Sequence, residues 1–404
     1  MNDLSFPENF IFGTSTSAFQ IEGAGYTEWK DFIGADKTKL DLAIDHYRKY
    51  KEDLKFISYL GNAYRFSMDW SRLQRSAYGS FDDEAIAHYM EIFKTLKSEN
   101  IKIMLVLNHF SNPLWFTKKG GWTAGGSFKI YFDYVKRVLD IFSGYIDYMN
   151  TFNEPAAYAI MAYILKEFPP KRTNPFLRYK VLSNMSEAHR IVYDYVKKNY
   201  PHIEVGISQA SMFVQTLNRK SVWQNFLRWF MDYYMFEHVH ELFAGDGKTD
   251  YIGFSYYGRI LISKHPVIAY EERGRRILDR LGLEYDDMWE IYPPGIYYLI
   301  KKFHKKYSKP IIITENGTCT NNDKFRIKNL YNHLYYVKKA IDEGIDVRGY
   351  FHWSTFDNYE LAHGPSRRFG LVSVDYNSPD LRRKIKESGE YYHEISSSNK
   401  LIKY

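Results

Sequence analysis

The chain has 404 residues and a single cysteine, Cys319, which excludes an intramolecular disulfide and a multi-cysteine zinc site. A composition 45% hydrophobic and 25% charged is that of a globular protein, and no apolar run approaches the roughly 20 residues that a membrane helix needs. The formal net charge of +7 comes from Lys and Arg interleaved with Glu and Asp, without a basic binding motif, so a nucleic-acid partner is not expected.

In chain order, short apolar or β-branched runs alternate with longer amphipathic ones. The first strand signal is "NFIFGTS" near residue 10, followed by a helical pattern over 39–59 with Leu42, Tyr47, Leu54 and Ile57 on one face. "NAYRFSM" near 65 comes next, then a helix capped by Asp82 or Asp83 and closed by Asn100. "IKIMLVLNH" near 105 precedes a helix over 127–143, and "IDYMNTF" near 149 precedes one over 176–199. "IEVGISQA" near 206 leads to a helix over 222–243, and "YIGFSYY" near 254 to one over 293–306. "KPIIITE" near 312 and "DVRGYFHWS" near 350 are followed by helices over 327–343 and 380–396. Several strands are too apolar to have a wet face, as a parallel sheet covered by helices requires. Eight strand signals, each followed by a helical pattern, predict one α/β domain over residues 1–404, a (β/α)8 TIM barrel. No linker and no low-complexity segment divides it, and the start "MNDLSFPENF" lacks a signal-peptide pattern, so a cytoplasmic protein is expected.

Barrel chemistry sits where strands end. The fourth strand ends in "NTFNEP" and the seventh in "ITENG", which puts Glu154 and Glu315 at equivalent places on strands three apart, nearly across the ring. Two inward glutamates there can approach to roughly 5 Å, the carboxyl separation of a retaining glycosidase. Pro155 is expected to hold Glu154 extended, and Gly317 to let the chain turn after Glu315. Either glutamate alone reads as an ordinary loop carboxylate; at matching strand ends they read as a pair. The aromatic content of 18%, with 37 Tyr and 8 Trp, fits core filling and equally fits a site that stacks on sugar rings.

These segments resemble glycoside hydrolase family 1, the β-glucosidase and β-galactosidase family. The resemblance runs in order through "FPENFIFGTSTSAFQIEG", "YRFSMDWSRL", "LVLNHFSNPLW", "TFNEP", "DYIGFSYY", "WEIYPPGIY", "KPIIITENG", "GYFHWSTFDNYELAHG" and "RRFGLVSVDY", nearly the whole chain. It implies a retaining β-glycosidase with Glu315 as nucleophile and Glu154 as general acid, then base. Arg65 matches the arginine beside the nucleophile, and Tyr257 the tyrosine that hydrogen-bonds it. Gln20, His109, Asn153 and Glu360 match positions that grip the sugar, with Asn153 on the 2-hydroxyl and Trp353 as the stacking floor. The implied partner is a small β-glycoside or oligosaccharide, a homo-oligomer is left open, and no metal or organic cofactor is implied.

The sequence also departs from the family. Leu361 follows Glu360 where a Trp is usual, Phe110 follows His109 where a Trp is common, and Ser255 replaces an Asn. The expected consequence is weak selectivity between gluco and galacto configurations. The connection from Gly23 to about Lys39 looks trimmed, which predicts an open entrance that accepts bulky leaving groups. A phosphoglycosidase of the same family is the nearest rival; it lacks the glutamate found here as Glu360 and carries a tyrosine where Phe369 stands, although Arg367 and Arg368 lie close in sequence. A non-catalytic sugar-binding relative would have lost one of the two glutamates. The balance between hydrolysis and transglycosylation stays open.

Overall fold

Eight parallel strands close into a barrel in the computed structural model, which describes residues 4–404. They are β1 (Ile11–Ser15), β2 (Ala63–Ser67), β3 (Lys102–Val106), β4 (Tyr148–Asn153), β5 (Glu204–Ala210), β6 (Ile252–Ser255), β7 (Ile311–Asn316) and β8 (Val347–Trp353). Each pairs with its sequence neighbours, and β8 closes on β1 through Ile11↔Gly349 to Ser15↔Trp353. The eight sequence signals therefore mark the eight barrel strands. The barrel follows from their composition: strands buried on both faces leave a wet edge nowhere once the ring closes.

Inside the ring, Ile11, Ala63, Met104, Tyr251, Ile312 and Phe351 pack into one apolar layer. A Cβ on Gly13 would meet the Phe351 ring at 2.3 Å, so glycine there makes room for the layer. Side chains alternate with a period of two along a strand, so Arg65 shares the face of Ala63 and stands one step nearer the strand ends. The apolar layer thus forms the floor on which the polar residues sit.

Helices cover the outside, among them Asp83–Ser98, Ser127–Phe142, Pro175–Asn199, Pro294–Tyr307 and Asp323–Asp342. Asp82 caps the first of these by accepting from the Ala85 amide, and Asn100 takes a left-handed turn just past its end (φ 59°). Two helix starts differ from expectation. The helix expected over 39–59 is His46–Leu60, because Ala43 and Asp45 adopt left-handed φ and break the preceding turn; Leu42 is exposed. The helix expected over 380–396 is Glu387–Ser398, because Arg383–Ile385 pairs with Val372–Val374 as a small hairpin. The expected helix over 222–243 is continuous but contains a π-helical turn, Asp232–Glu237. A small sheet of Phe213–Thr216, Arg259–Ile262 and Pro266–Val267 stands beside the barrel mouth and was not legible as separate strands. Among the described residues, no helix is long and apolar enough to cross a membrane.

Candidate active site

Glu315 is the fifth residue of β7, and Glu154 follows the last residue of β4. In the ring order β7-β6-β5-β4 these strands are three apart, as the sequence count predicts. Both strands lose regular register at their ends, between Asn150 and Asn153 and between Ile313 and Glu315. Such irregularities re-aim side chains, here over the barrel mouth.

Two local expectations are corrected. Glu154 is not extended: its φ of 42° and ψ of 58° are left-handed, although Pro155 follows. The surroundings impose this conformation. The Glu154 amide donates to the Ser208 carbonyl at 2.5 Å, and its own carbonyl accepts from the Tyr158 amide at 3.0 Å, so the chain must pass from strand to helix within one residue. Gly317 is needed for space rather than for a turn: a Cβ there would lie 1.9 Å from the Trp353 carbonyl oxygen.

Arg65 is fully buried and its guanidinium reaches four acceptors. Nη1 donates to Glu315 Oε1 at 2.6 Å and to Ser15 Oγ at 2.8 Å, Nε to Asn150 Oδ1 at 3.0 Å, and Nη2 to Asn153 Oδ1 at 2.5 Å. The Tyr257 hydroxyl donates to the other oxygen, Glu315 Oε2, at 2.9 Å. Burial raises the pKa of Glu315, and the Arg65 charge and the Tyr257 hydrogen bond pull against it. Glu154 has no ion-pair partner among the described residues. Burial pushes its carboxyl up to about 8, with the Glu315 charge adding to the push and a Ser255 hydrogen bond opposing it.

A chain of donors and acceptors orients His109. Arginine only donates, so Asn153 must turn its carbonyl to Arg65 and its Nδ2 to His109 Nε2, 3.0 Å away. His109 then accepts at Nε2 and carries its proton on Nδ1, which has no hydrogen-bond partner among the described residues. Burial and the neighbouring Arg65 hold the ring well below the usual histidine pKa, hence neutral.

Gln20 donates to the Tyr359 carbonyl at 3.0 Å and, more weakly, to Glu360 Oε2 at 3.4 Å. Burial raises Glu360 to about 8, against hydrogen bonds from Trp353 and Gln20 and with the Glu315 charge raising it further. Trp353 stacks on His109 with centroids 5.6 Å apart, and Phe369 meets Tyr257 edge-on at 5.8 Å. Arg367 and Arg368 are drawn away to Asp287 and Asp357.

A cavity of about 300 Å³ opens over the barrel, and Gln20, His109, Glu154, Tyr257, Glu315, Trp353, Glu360 and Phe369 all line it. Arg65 and Asn153 lie behind that wall and act on it through Glu315 and His109. Leu361, Phe110 and Ser255, the three departures, line it as well. Sequence reading missed Ser15 and Asn150, which complete the Arg65 cradle. The period-two face of β1 and β4 was the available signal. It also missed the apolar part of the cavity wall, where Met161, Met212, Met231 and Met235 come from segments far apart in the chain.

The family model "Glycosyl hydrolase family 1" matches residues 2–236 and 233–401. "Beta-glucosidase A" of Thermotoga maritima is 28% identical over 453 residues, covering 99% of this chain and 100% of the relative. A "Beta-galactosidase" of Pyrococcus woesei is 26% identical, covering 98% of each. Among solved structures, a "beta-glycosidase from Pyrococcus horikoshii" superposes with a TM-score of 0.88 at 32% identity, covering 99% of this chain and 97% of its own. The Thermotoga maritima β-glucosidase in complex with deoxynojirimycin gives 0.87 at 26% identity, covering 98% of this chain and 100% of its own. With a family match across nearly its full length and a closed eight-stranded barrel, the chain belongs to glycosyl hydrolase family 1.

Proposed function

We propose that this family 1 β-glycosidase hydrolyses terminal, non-reducing β-D-glucosides and β-D-galactosides, and β-D-fucosides with them, with retention of configuration, as one catalytic domain over residues 1–404. The observation that carries the reading is the asymmetry of the two buried carboxyls: Glu315 has a cation at 2.6 Å, and Glu154 has none among the described residues. The charge of an ionised pair member therefore resides on Glu315, and Glu154 keeps its proton.

In the first step Glu315 attacks the anomeric carbon while Glu154 gives its proton to the departing glycosidic oxygen, leaving a glycosyl ester on Glu315. Ester formation removes the negative charge that held the Glu154 proton in place. Glu154, now ionised, takes a proton from water as that water attacks the anomeric carbon, and Glu315 leaves as a carboxylate. Gln20, Glu360 and His109 Nδ1 are the groups for the sugar hydroxyls, with Trp353 and Phe369 against the ring, and Asn153, expected on the 2-hydroxyl, acts through the His109 ring that it orients. The Thermotoga maritima relative has been solved with glucoimidazole and with galacto-hydroximolactam, which supports a glycone site open to both configurations.

Azide rescue tests the division of roles. With Glu315→Gly the aryl β-glucoside is no longer turned over, and azide attacks from the vacated face to give the α-glucosyl azide. With Glu154→Ala the glycosyl ester still forms from a good leaving group, and azide releases it as the β-glucosyl azide. Swapped products would reverse the assignment, and full activity in either variant would remove it.

A further inference from the structure

One more buried carboxyl stands close behind the site. Asp286 is 5% exposed and has no ion-pair partner among the described residues. Burying a carboxyl without a cation costs stability unless hydrogen bonds meet it, and here three backbone amides do. Oδ1 accepts from Met288 at 2.8 Å and from Trp289 at 2.7 Å, which folds residues 286–289 into a turn. Oδ2 accepts from Cys319 at 2.8 Å, and beside it the Asp287 amide donates to the Cys319 carbonyl at 3.0 Å. One oxygen therefore shapes the turn, and the other ties that turn to the segment that follows β7 and Glu315.

The turn carries a wall of Tyr257. Trp289 lies along the Tyr257 ring with centroids 6.4 Å apart and planes at 27°, and Phe369 closes the other side edge-on. The backbone just before Tyr257 is fixed independently, because the Tyr256 amide donates to the Glu315 carbonyl at 2.9 Å. That bond sets where Tyr257 starts; the direction of its side chain is left to the rings packed against it.

Past the turn, Glu290 holds the other flank. Arg259 donates to its two carboxylate oxygens through Nε at 2.8 Å and Nη2 at 2.6 Å, and the Arg259 amide donates to the Glu290 carbonyl at 3.2 Å. These links close a circuit. It runs from Glu315 along the chain to Cys319, across Asp286 to the turn, across Glu290 to Arg259, and back to Tyr257, whose hydroxyl donates to Glu315 Oε2 at 2.9 Å. A small displacement anywhere along it is felt at the hydroxyl, and catalytic geometry tolerates little displacement.

We propose that Asp286 is a positioning residue for this reaction: by tying the Trp289 turn to the segment after Glu315, it holds the Tyr257 hydroxyl on the nucleophile. The proposal deepens the β-glycosidase reading and rests on its assignment of Glu315. Asp286 touches neither sugar nor reacting atoms and acts through Trp289 and Tyr257.

A double-mutant cycle of Asp286→Asn with Tyr257→Phe tests it, read as kcat and KM on p-nitrophenyl β-D-glucoside, with chemical denaturation of each protein alongside. Asparagine keeps an oxygen for the Met288 and Trp289 amides but sets its own N–H against that of Cys319, so the turn stays and the tie is cut. Asp286→Asn lowers kcat/KM by about tenfold in the wild-type background, mainly through kcat, and by less than about twofold once Tyr257→Phe is present. Equal losses in both backgrounds, or no loss in the first, overturn the proposal: Asp286 then serves stability alone, and denaturation registers its effect. If Asp286→Asn does not fold, Glu290→Gln opens the same circuit at Arg259 and is held to the same outcomes. A wild-type protein that turns over no aryl β-glycoside removes the glycosidase reading itself, a result distinct from either pattern of the cycle.

Discussion

At the scale of single residues, the site is governed by where one buried cation is allowed to sit. Arg65 divides its donors among Glu315, Ser15, Asn150 and Asn153, so one side chain stabilises a carboxylate and also fixes the tautomer of His109. Two pH effects follow, with opposite signs. In the proposed mechanism Glu154 must be protonated to act as an acid, and it is raised to about 8, so kcat/KM should fall as pH rises through about 8. Glu154→Gln should remove that basic limb when a leaving group needing no protonation is used. The same mechanism needs Glu315 ionised, and Arg65 favours its charge, so Arg65→Gln should move the acidic limb to higher pH; a pH profile of kcat/KM reads both. Specificity is also a residue-scale matter. Leu361 offers no donor beside Glu360, and Ser255 is shorter than the usual amide. The gluco and galacto nitrophenyl substrates should therefore differ in kcat/KM by less than about 100-fold, roughly 2.7 kcal/mol. A larger ratio would show that other groups restore the lost discrimination.

At the scale of elements, strand ends are positioned by close approach of backbones. Gly317 follows directly on β7 and packs against the carbonyl of Trp353 at the end of β8, so these two site-bearing ends are held in register by the absence of a side chain. Gly317→Ala should cost about 2–3 kcal/mol in stability, the scale of overpacking, as one strand end is pushed from the other. The same shift displaces Glu315 relative to Trp353, so kcat should drop more than KM rises. Chemical denaturation and steady-state kinetics on the one variant separate these effects; unchanged values in both would mean the ends slide freely. The helix Val222–Met231 shows the reverse case, an element with Met231 on the cavity while its aromatic face finds no cover among the described residues.

At the scale of the molecule, the charges buried around the barrel set its response to pH. Glu22 is buried with Arg72 and Tyr89, and burial raises its carboxyl to about 7. Below its ordinary value of 4.5 the folded and unfolded chains both hold the proton. Between 4.5 and about 7 the unfolded chain has released it while the folded one has not, so stability falls as pH rises through that window and then levels. Glu22→Gln removes this dependence. Its stability relative to wild type should rise by about 1–3 kcal/mol from pH 4.5 to pH 7.5, measured by denaturation at each pH. A difference constant with pH would mean that Glu22 is ionised in the folded protein throughout.

The eight strands and most of the helices could be read from the sequence because burial on both faces and amphipathic period are properties of short segments. The positions of Glu154 and Glu315 could be read for the same reason, since counting strands around a closed ring needs no coordinates. Other features depended on contacts between segments distant in sequence. The left-handed turn at Glu154 is imposed by Ser208 from the next strand, and Gly317 answers to Trp353. The start of the helix at His46 and the hairpin before Glu387 were fixed by neighbours that local periodicity does not record. The apolar part of the cavity wall is assembled from methionines as far apart in the chain as Met161 and Met235, which local pattern does not bring together. By itself the sequence determined the barrel and the pair of carboxyls, because both are written in local pattern, and its resemblance to a family set Arg65 beside Glu315; only the tertiary structure decided which other side chains complete the Arg65 cradle and wall the rest of the cavity, because those depend on which side chains the closed ring brings face to face.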